Sequence, residues 1–449
     1  MNAFHAYDIR GIFEKDFTLD DVYRIGFYLP QLLNTTRILV GRDCRQSSDA
    51  IFEYLAKGIT NAGADVYDVG LATTPMVYFL TAQKQFDASV QITASHNPKE
   101  YNGLKVSRTS ALPVGYESGL NKLESLIKQE PTPVSQKGNI VPFNESTTYS
   151  QFLQNYVSPK IETLNIVVDI SNGMAGLFIK ELLGKKPYYI NESLDGNFPG
   201  HAPNPLEPKN IIQLQEAVKT HSADIGVIFD GDADRVMFVD EQGQFISPDL
   251  LIALLGHYFL KNSAQKAIVL QDIRTSKAVP EYIAKHWANA TVEMWKVGRA
   301  NAALKLRELD GYFGGELAGH YYFRDFFYSD SGIMAALILL EVFADFKING
   351  LTVSQVIADI QAYENSGEIN FKLSQKDEAM EAVKQYFISQ ETPSAIYDFD
   401  GYRIEYPDWW FNIRKSNTEP YLRLLVEAKT ISLLQTKLSE IENIIKKFD

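Results

Sequence analysis

Ala88-Ser89-Val90-Gln91-Ile92-Thr93-Ala94-Ser95-His96-Asn97-Pro98 sets an alternating stretch directly against a polar corner. The alternation from Ala88 to Ile92 predicts a half-buried strand, and Asn97-Pro98 terminates regular structure, so Ser95 falls on a strand-to-loop corner. Open α/β sheets bind their ligands at such corners. A serine flanked by small and hydrogen-bonding residues there is expected to be presented and not packed. A serine-hydrolase nucleophile is the weaker reading: no G-x-S-x-G elbow surrounds it, and His96, its direct neighbour, cannot easily serve as its base.

The chain has 449 residues, more than one core usually supports, so three or four domains are expected. With 45% hydrophobic and 22% charged residues it should fold throughout. A formal charge of -13 argues against nucleic acid or an anionic membrane as partner, since both need a basic surface. Small phosphorylated ligands stay open, because a local cluster of Arg and Lys suffices to hold one phosphate. Cys44 is the only cysteine, which excludes an intramolecular disulfide and a Cys-rich metal site and suits a reducing compartment. The N-terminal residues lack the pattern of a signal peptide, and the longest apolar run, Ile333 to Leu340, is too short to span a bilayer. A cytoplasmic protein is expected.

Working outward from Ser95, the same pattern occurs three times. Ile38-Leu39-Val40, Ile166-Val167-Val168 and Ala267-Ile268-Val269-Leu270 read as buried strands, each followed by a helix-like stretch, a second strand (Ala64 to Val69, Pro187 to Ile190, Ala290 to Trp295), another helix and a third strand. Each unit takes about 50 to 65 residues from first strand to final tip, the size of a repeated α/β domain. The tips are Thr93 to Pro98, Asp230-Gly231-Asp232-Ala233-Asp234-Arg235 and Gly314-Gly315-Glu316-Leu317-Ala318-Gly319-His320. Gln129-Glu130-Pro131-Thr132-Pro133 with Gly138 separates the first unit from the second. Ser247-Pro248-Asp249 reads as an N-cap with proline at the first helical position, opening a helix through Phe259. Past Asn365-Ser366-Gly367, strands at Glu368 to Leu373 and Tyr421 to Ala428 and a helix from Ser432 to Phe448 make a smaller α+β unit. The expected domains are 1-144, 145-248, 249-366 and 367-449.

Asp230, Asp232 and Asp234 follow the apolar strand Ile225 to Phe229, and period-two geometry would aim the three carboxylates to one side. Converging carboxylates repel unless a cation lies between them, and hard oxygen ligands suit Mg²⁺. A calcium loop is discounted, because Arg235 stands where glycine is required. A phosphatase with Asp230 as nucleophile would leave Ser95 without a role. Arg414-Lys415-Ser416-Asn417-Thr418 offers a guanidinium, two hydroxyls and an amide, the donor set a phosphate dianion needs. Glu316, between glycines, supplies a carboxylate acceptor for sugar hydroxyls.

Taken together these stretches resemble the α-D-phosphohexomutases: the serine loop, the aspartate loop with Arg235, the Arg414 loop and Asp195-Gly196-Asn197-Phe198-Pro199, from Tyr7 to about Ala428. The resemblance implies three sister α/β domains with mixed sheets plus a smaller C-terminal α+β domain around a central cleft. It implies a reversible conversion of hexose 1-phosphate to hexose 6-phosphate through phosphorylated Ser95 and a 1,6-bisphosphate, mannose phosphate being favoured and glucose phosphate also used. Phosphoglucosamine mutase is the alternative within the family; a metal-dependent sugar phosphatase or a phosphosugar-binding protein is the alternative outside it. Ser95, His96, Lys105 and Arg10 are then the expected catalytic residues. One Mg²⁺ per active site would be held by Asp230, Asp232, Asp234 and Ser95, with a hexose 1,6-bisphosphate as activator. Tyr7, Arg235, Gly298, Arg299, Glu316, Ala318 and His320 would meet the sugar, and Arg414, Ser416, Asn417 and Thr418 the distant phosphate. Two positions depart from the family: Ala318 stands where a serine is usual, and Arg299 where several members have histidine. The partners are small phosphorylated hexoses; the oligomeric state is expected to be monomer or dimer.

Overall fold

The computed structural model describes residues 1–261, 265–416 and 421–448. Three of its four sheets share one topology, which explains the threefold pattern. In the first, Arg37–Arg42 runs parallel to both Asp65–Leu71 and Ala88–Ile92, and Tyr101–Arg108 then reverses to pair antiparallel with Ala88–Ile92. In the second, Ile166–Asp169 lies between Tyr188–Ile190 and Ile225–Phe229, and Val236–Asp240 reverses against Ile225–Phe229. In the third, Ala267–Asp272 lies between Ala290–Trp295 and Phe313–Gly315, and Tyr321–Phe323 reverses. Each tip is therefore the turn between a parallel strand and its antiparallel successor, a fourth strand that the repeat pattern does not announce. The mixed sheets follow from it.

The first sheet gains Ile9–Ile12 against Tyr101–Arg108 at one edge and Ile140–Pro142 against Asp65–Leu71 at the other. The chain thus returns to this sheet after the Pro131-Thr132-Pro133 break. Val134 N and Gly138 N donate to the carbonyls of Asn61 and Thr60 on the way. The fourth sheet is antiparallel and has six strands, among them Trp409–Lys415 and Leu422–Ala428. Glu364–Asn365 already pairs with this sheet. The closing helix spans Ile431–Ile445.

One core joins the first three units. The apolar run from Ile333 lies in the helix Gly332–Ile348, capped by Ser331, which is buried along most of its length. It belongs to one buried cluster that takes in residues of all three sheets, including Leu39, Val168, Phe229 and Phe313. The amide of its first residue donates to Ala233 O in the aspartate loop at 3.1 Å, so the buried helix braces the second tip. Among the described residues no helix is long and apolar enough to cross a membrane. The helix before the third unit differs from expectation at its start. It spans Leu250–Phe259, and its cap is Asp249, whose carboxylate accepts from Leu250 N at 3.1 Å. Ser247 donates its hydroxyl to that carboxylate instead of capping the helix. The Asp249 carboxyl at the helix start, also bonded by Ser276 N at 2.9 Å, takes the capping place instead of the serine hydroxyl.

Helices Leu19–Leu33 and Ser48–Asn61 cross at two glycines. A Cβ on Gly58 would lie 2.2 Å from Tyr23 O, and one on Gly26 would lie 2.3 Å from Leu55 O. Backbone-to-backbone contact of this kind leaves no side chain to move aside. Gly58→Ala should therefore lower unfolding stability by about 1–3 kcal/mol in urea denaturation, although intrinsic helix propensity alone favours alanine. An alanine variant as stable as the parent would show that the two helices do not touch there.

Candidate active site

Strand Ala88–Ile92 is buried throughout, and the chain turns sharply beyond it. Ser95 N donates to Thr93 Oγ1 at 2.9 Å, and Ser95 itself adopts a left-handed φ of 50°. Arg45 holds this conformation. Its guanidinium donates to the carbonyls of Ser95 (2.8 Å), Asn97 (2.7 Å), Pro98 (2.6 Å) and Tyr101 (3.1 Å) and, through Nε, to Asp43 (3.0 Å). These five bonds use every N–H that arginine has. Ser95 is only 1% exposed, so it is not presented as expected: it lies on a closed floor beneath the second tip. Its Oγ donates to Asp230 Oδ2 at 2.9 Å and lies 3.3 Å from His96 Nδ1. Burial, reinforced by Arg235 and Arg10, pushes His96 well below the usual imidazole range.

The three aspartates do converge, but not by strand alternation. The strand ends at Phe229, and Asp230–Asp234 form a tight turn in which Ala233 takes a φ of 63°. One oxygen from each carboxylate lies within 4.8 Å of the others. Gly231 is required for the meeting of the two tips, since a Cβ there would stand 2.5 Å from Ser95 O. Lys105, on the reversing strand of the first unit, reaches Asp232 Oδ2 at 2.6 Å and Asp234 Oδ2 at 2.5 Å. Thr74, at the start of the helix Thr74–Gln83, adds a hydroxyl to Asp232 Oδ2 at 2.5 Å. Burial and the carboxylates of Asp234 and Asp232 raise Asp230 well above the usual range. For Lys105 the attraction of Asp232 and Asp234 outweighs burial and holds the ammonium charged. Arg235 Nε lies 3.7 Å from Asp230 Oδ2. Arg10 donates to Asn97 Oδ1 at 2.8 Å and pairs with Asp8.

The donor set fits a hard divalent cation. Asp232 Oδ1 and Asp234 Oδ1 are buried carboxylate oxygens without a hydrogen-bond partner, beside Asp230 and Ser95. Such atoms are costly to leave in a low-dielectric interior, and an oxygen-seeking ion satisfies them.

In the third tip Glu316 accepts from Gly298 N at 3.2 Å and from the Tyr322 hydroxyl at 2.6 Å. Burial and nearby Asp272 raise its carboxyl, against the pull of His320 and Arg274. Ala318 contributes only a methyl group. His320 Nδ1 lies 2.7 Å from Asp330 Oδ2 and 3.8 Å from Asp234 Oδ1, which joins the second and third tips. Gly298 has a φ of 109°, and a Cβ there would meet the Tyr7 ring at 2.5 Å, while the Tyr7 hydroxyl donates to Val297 O at 3.0 Å. Arg299 makes its contacts within the protein. Its Nε donates to Asp330 Oδ1 at 3.0 Å and its guanidinium covers the Tyr78 ring.

From the fourth unit Arg414 is almost fully buried, with Nε 3.3 Å from Asp400 Oδ1, and Asp400 Oδ2 accepts from Val297 N at 2.9 Å. This ties the Arg414 strand to the Gly298 turn. Ser416 N donates to Tyr421 O at 2.9 Å; Asn417 and Thr418 lie outside the described residues. Sequence reasoning did not find Arg45, Thr74 or Asp330. Arg45 stands in Gly41-Arg42-Asp43-Cys44-Arg45 at the end of the first strand, and that position at a sheet's carboxyl edge was its available signal.

Four family models cover nearly the whole chain: the phosphoglucomutase/phosphomannomutase alpha/beta/alpha domains I, II and III match residues 1–133, 147–243 and 247–363, and the C-terminal domain matches 368–443. A phosphomannomutase of Vibrio cholerae is 36% identical over 466 residues, covering 100% of this chain and 99% of its own. One from Escherichia coli K12 is 35% identical over 443 residues, covering 96% and 95%. The crystal structure of a phosphoglucomutase/phosphomannomutase family protein from Burkholderia thailandensis superposes with a TM-score of 0.87 at 27% identity, over 99% of this chain and 97% of that one. With four domains in one order and relatives of this similarity along its full length, the chain belongs to the phosphoglucomutase/phosphomannomutase family, the α-D-phosphohexomutases, and is a mutase of the isomerase class.

Proposed function

We propose that this protein interconverts hexose 1-phosphates and hexose 6-phosphates, with mannose phosphate preferred and glucose phosphate also accepted, by way of phosphorylated Ser95. The observation that carries the reading is the meeting of Ser95 Oγ with Asp230 at 2.9 Å, beside a carboxylate cluster that already attracts Lys105. A hydroxyl held against converging acidic groups and surrounded by Lys105, Arg235 and Arg10 suits a phosphoryl carrier, whose transfer is mainly a matter of positioning and charge stabilisation. The preference for mannose follows the names of the similar relatives and the Tyr321 to Phe326 and Tyr406 to Trp410 stretches, which resemble those of bacterial phosphomannomutases.

Each group has a definable task. Arg45 fixes Ser95 through its own loop carbonyls, so the hydroxyl stays aimed at the second tip. Asp230, Asp232 and Asp234 would hold the cation, Mg²⁺ by donor type, and Ser95 lies against them. When bound, the ion would neutralise charge on the transferring phosphoryl group. Lys105 and Arg235 bring positive charge to the same place and orient the phosphoryl oxygens. Arg414 and Ser416 would hold the phosphate that is not reacting. Glu316 accepts sugar hydroxyls, and because the bisphosphate must bind in both orientations, its contacts have to serve two poses. Ala318 withdraws one hydroxyl contact, which favours tolerance between epimers.

Intact-mass measurement after incubation with a hexose 1,6-bisphosphate should show one added phosphoryl group, lost in Ser95→Ala. Mutase turnover in that variant should fall by about three orders of magnitude or more. Unchanged turnover would contradict the carrier role. Excess EDTA should reduce mannose 1-phosphate turnover to background, and added Mg²⁺ should restore it. Full activity in the chelator would refute the cation assignment.

A further inference from the structure

The helix Arg299–Glu308 of the third unit begins at the cleft, and its first residue faces the first unit. The Arg299 guanidinium carbon stands 3.5 Å from the centroid of the Tyr78 ring. Tyr78 belongs to the helix Thr74–Gln83, whose first residue bonds Asp232. Arg299 Nη2 donates to Ala111 O at 3.3 Å, and its Nε to Asp330 Oδ1 at 3.0 Å. The other oxygen of this fully buried carboxylate pairs with His320 Nδ1 at 2.7 Å. A continuous contact path therefore runs from Tyr78 through Arg299 and Asp330 to His320.

The turn that Arg299 grips is strained. Ser110 and Ala111 have φ values of 60° and 59°, and Phe327 and Tyr328, just before Asp330, have 55° and 58°. Consecutive left-handed residues other than glycine persist only where neighbours hold them. Arg307, two helical turns beyond Arg299, holds both places, donating to Ser110 O at 3.0 Å and Phe327 O at 2.8 Å. The two arginines share the interdomain seam, but only Arg299 reaches Asp330.

We propose that Arg299 is the positioning residue for His320: stacked on Tyr78, it fixes the Asp330 carboxylate, and Asp330 in turn fixes the His320 ring by accepting from its Nδ1–H. A carboxylate accepts and cannot donate, so Nδ1 is the donor of this pair, and an immobilised acceptor sets the orientation of the imidazole. The other groups around His320 agree. Asp234 Oδ1 lies on the same Nδ1 side at 3.8 Å, the Tyr322 ring stacks on the imidazole with centroids 6.3 Å apart, and Glu316 N binds His320 O at 2.9 Å. The arginine at position 299 thus supports the third tip from the interdomain seam. Only the kinetic arm of the test below rests on the mutase reading.

The test compares Arg299→Met, Arg299→Lys and Arg307→Met. In substrate-free protein labelled with ¹⁵N-histidine, the His320 ring signals, assigned by their loss in His320→Asn, should show one ordered ring in the parent and in Arg307→Met. Arg299→Met should broaden or split them through exchange between ring orientations, and Arg299→Lys should recover the parental signals. With mannose 1-phosphate, Arg299→Met should lower kcat by about ten- to a hundredfold with KM within about twofold of the parent. It should add no further loss in a His320→Asn background. Should Arg299→Met not fold, Arg299→Gln carries the same measurements. Unchanged His320 ring signals in Arg299→Met, a loss that multiplies with that of His320→Asn, or a change confined to KM would each overturn the proposal. Absence of turnover in the parent would instead strike the mutase reading, leaving the ring signals to decide the role of Arg299.

Discussion

The Lys105 ammonium between Asp232 and Asp234 expresses the constraint on which the rest of this protein depends: three carboxylates are buried together at one point. Two unit charges 4 Å apart repel by about 4 kcal/mol at an effective dielectric constant of 20, so such a cluster exists only where cations are delivered to it. The fold delivers them from several directions. Lys105 comes from the reversing strand of the first unit, Arg235 from the second tip itself, and Thr74 adds a hydroxyl from a helix start. A cation held by these carboxylates, together with Lys105 and Arg235, is what the proposed phosphoryl transfer would require, since the transferring group is itself negatively charged. The electrostatic cost borne by the fold would thus serve the proposed reaction.

Three copies of one topology make the meeting geometrically possible. In each, the central strand is flanked by two parallel neighbours, and the third strand turns back on itself, so the tip projects from the carboxyl edge of the sheet. The helix Gly332–Ile348 is packed into the core shared by the first three units, and it touches the second tip through Ala233 O. Cores and tips are therefore coupled: displacing the buried helix would displace the aspartates. The Arg299 seam couples the third tip to the first unit in the same manner, through Tyr78 and the Ala111 carbonyl.

Much of this arrangement was legible in residue order. The parallel strands, the three tips and their chemical differences follow from apolar runs ending in Ser95, Asp230 and Glu316, because buried strands and polar corners differ sharply in composition. The smaller C-terminal unit was legible for the same reason. What escaped were features fixed by contacts between distant segments. Arg45 looks like one charge in a polar loop, and only folding reveals that its Nη donors all close on the segment from Ser95 to Tyr101, more than forty residues away. The exposure of Ser95 was misjudged, since its cover comes from Gly231 in another unit. Period two was also the wrong reason for the convergence of the aspartates: the strand stops at Phe229, and the turn at Ala233 aims them. Arg299 was expected to meet the sugar, and its length lets it reach Asp330 and Tyr78, which sequence spacing does not show.

The central claim is that Ser95 shuttles a phosphoryl group between enzyme and sugar inside this charge cluster, without losing it to water. It is tested most directly by a single-turnover chase, in which protein labelled with ³²P at Ser95 is mixed with excess unlabelled mannose 1-phosphate and the label is followed over time. The account predicts that the label passes to mannose 1,6-bisphosphate and then to mannose 6-phosphate, with inorganic phosphate remaining at background. Release of the label chiefly as inorganic phosphate, or its retention on the protein, would contradict it.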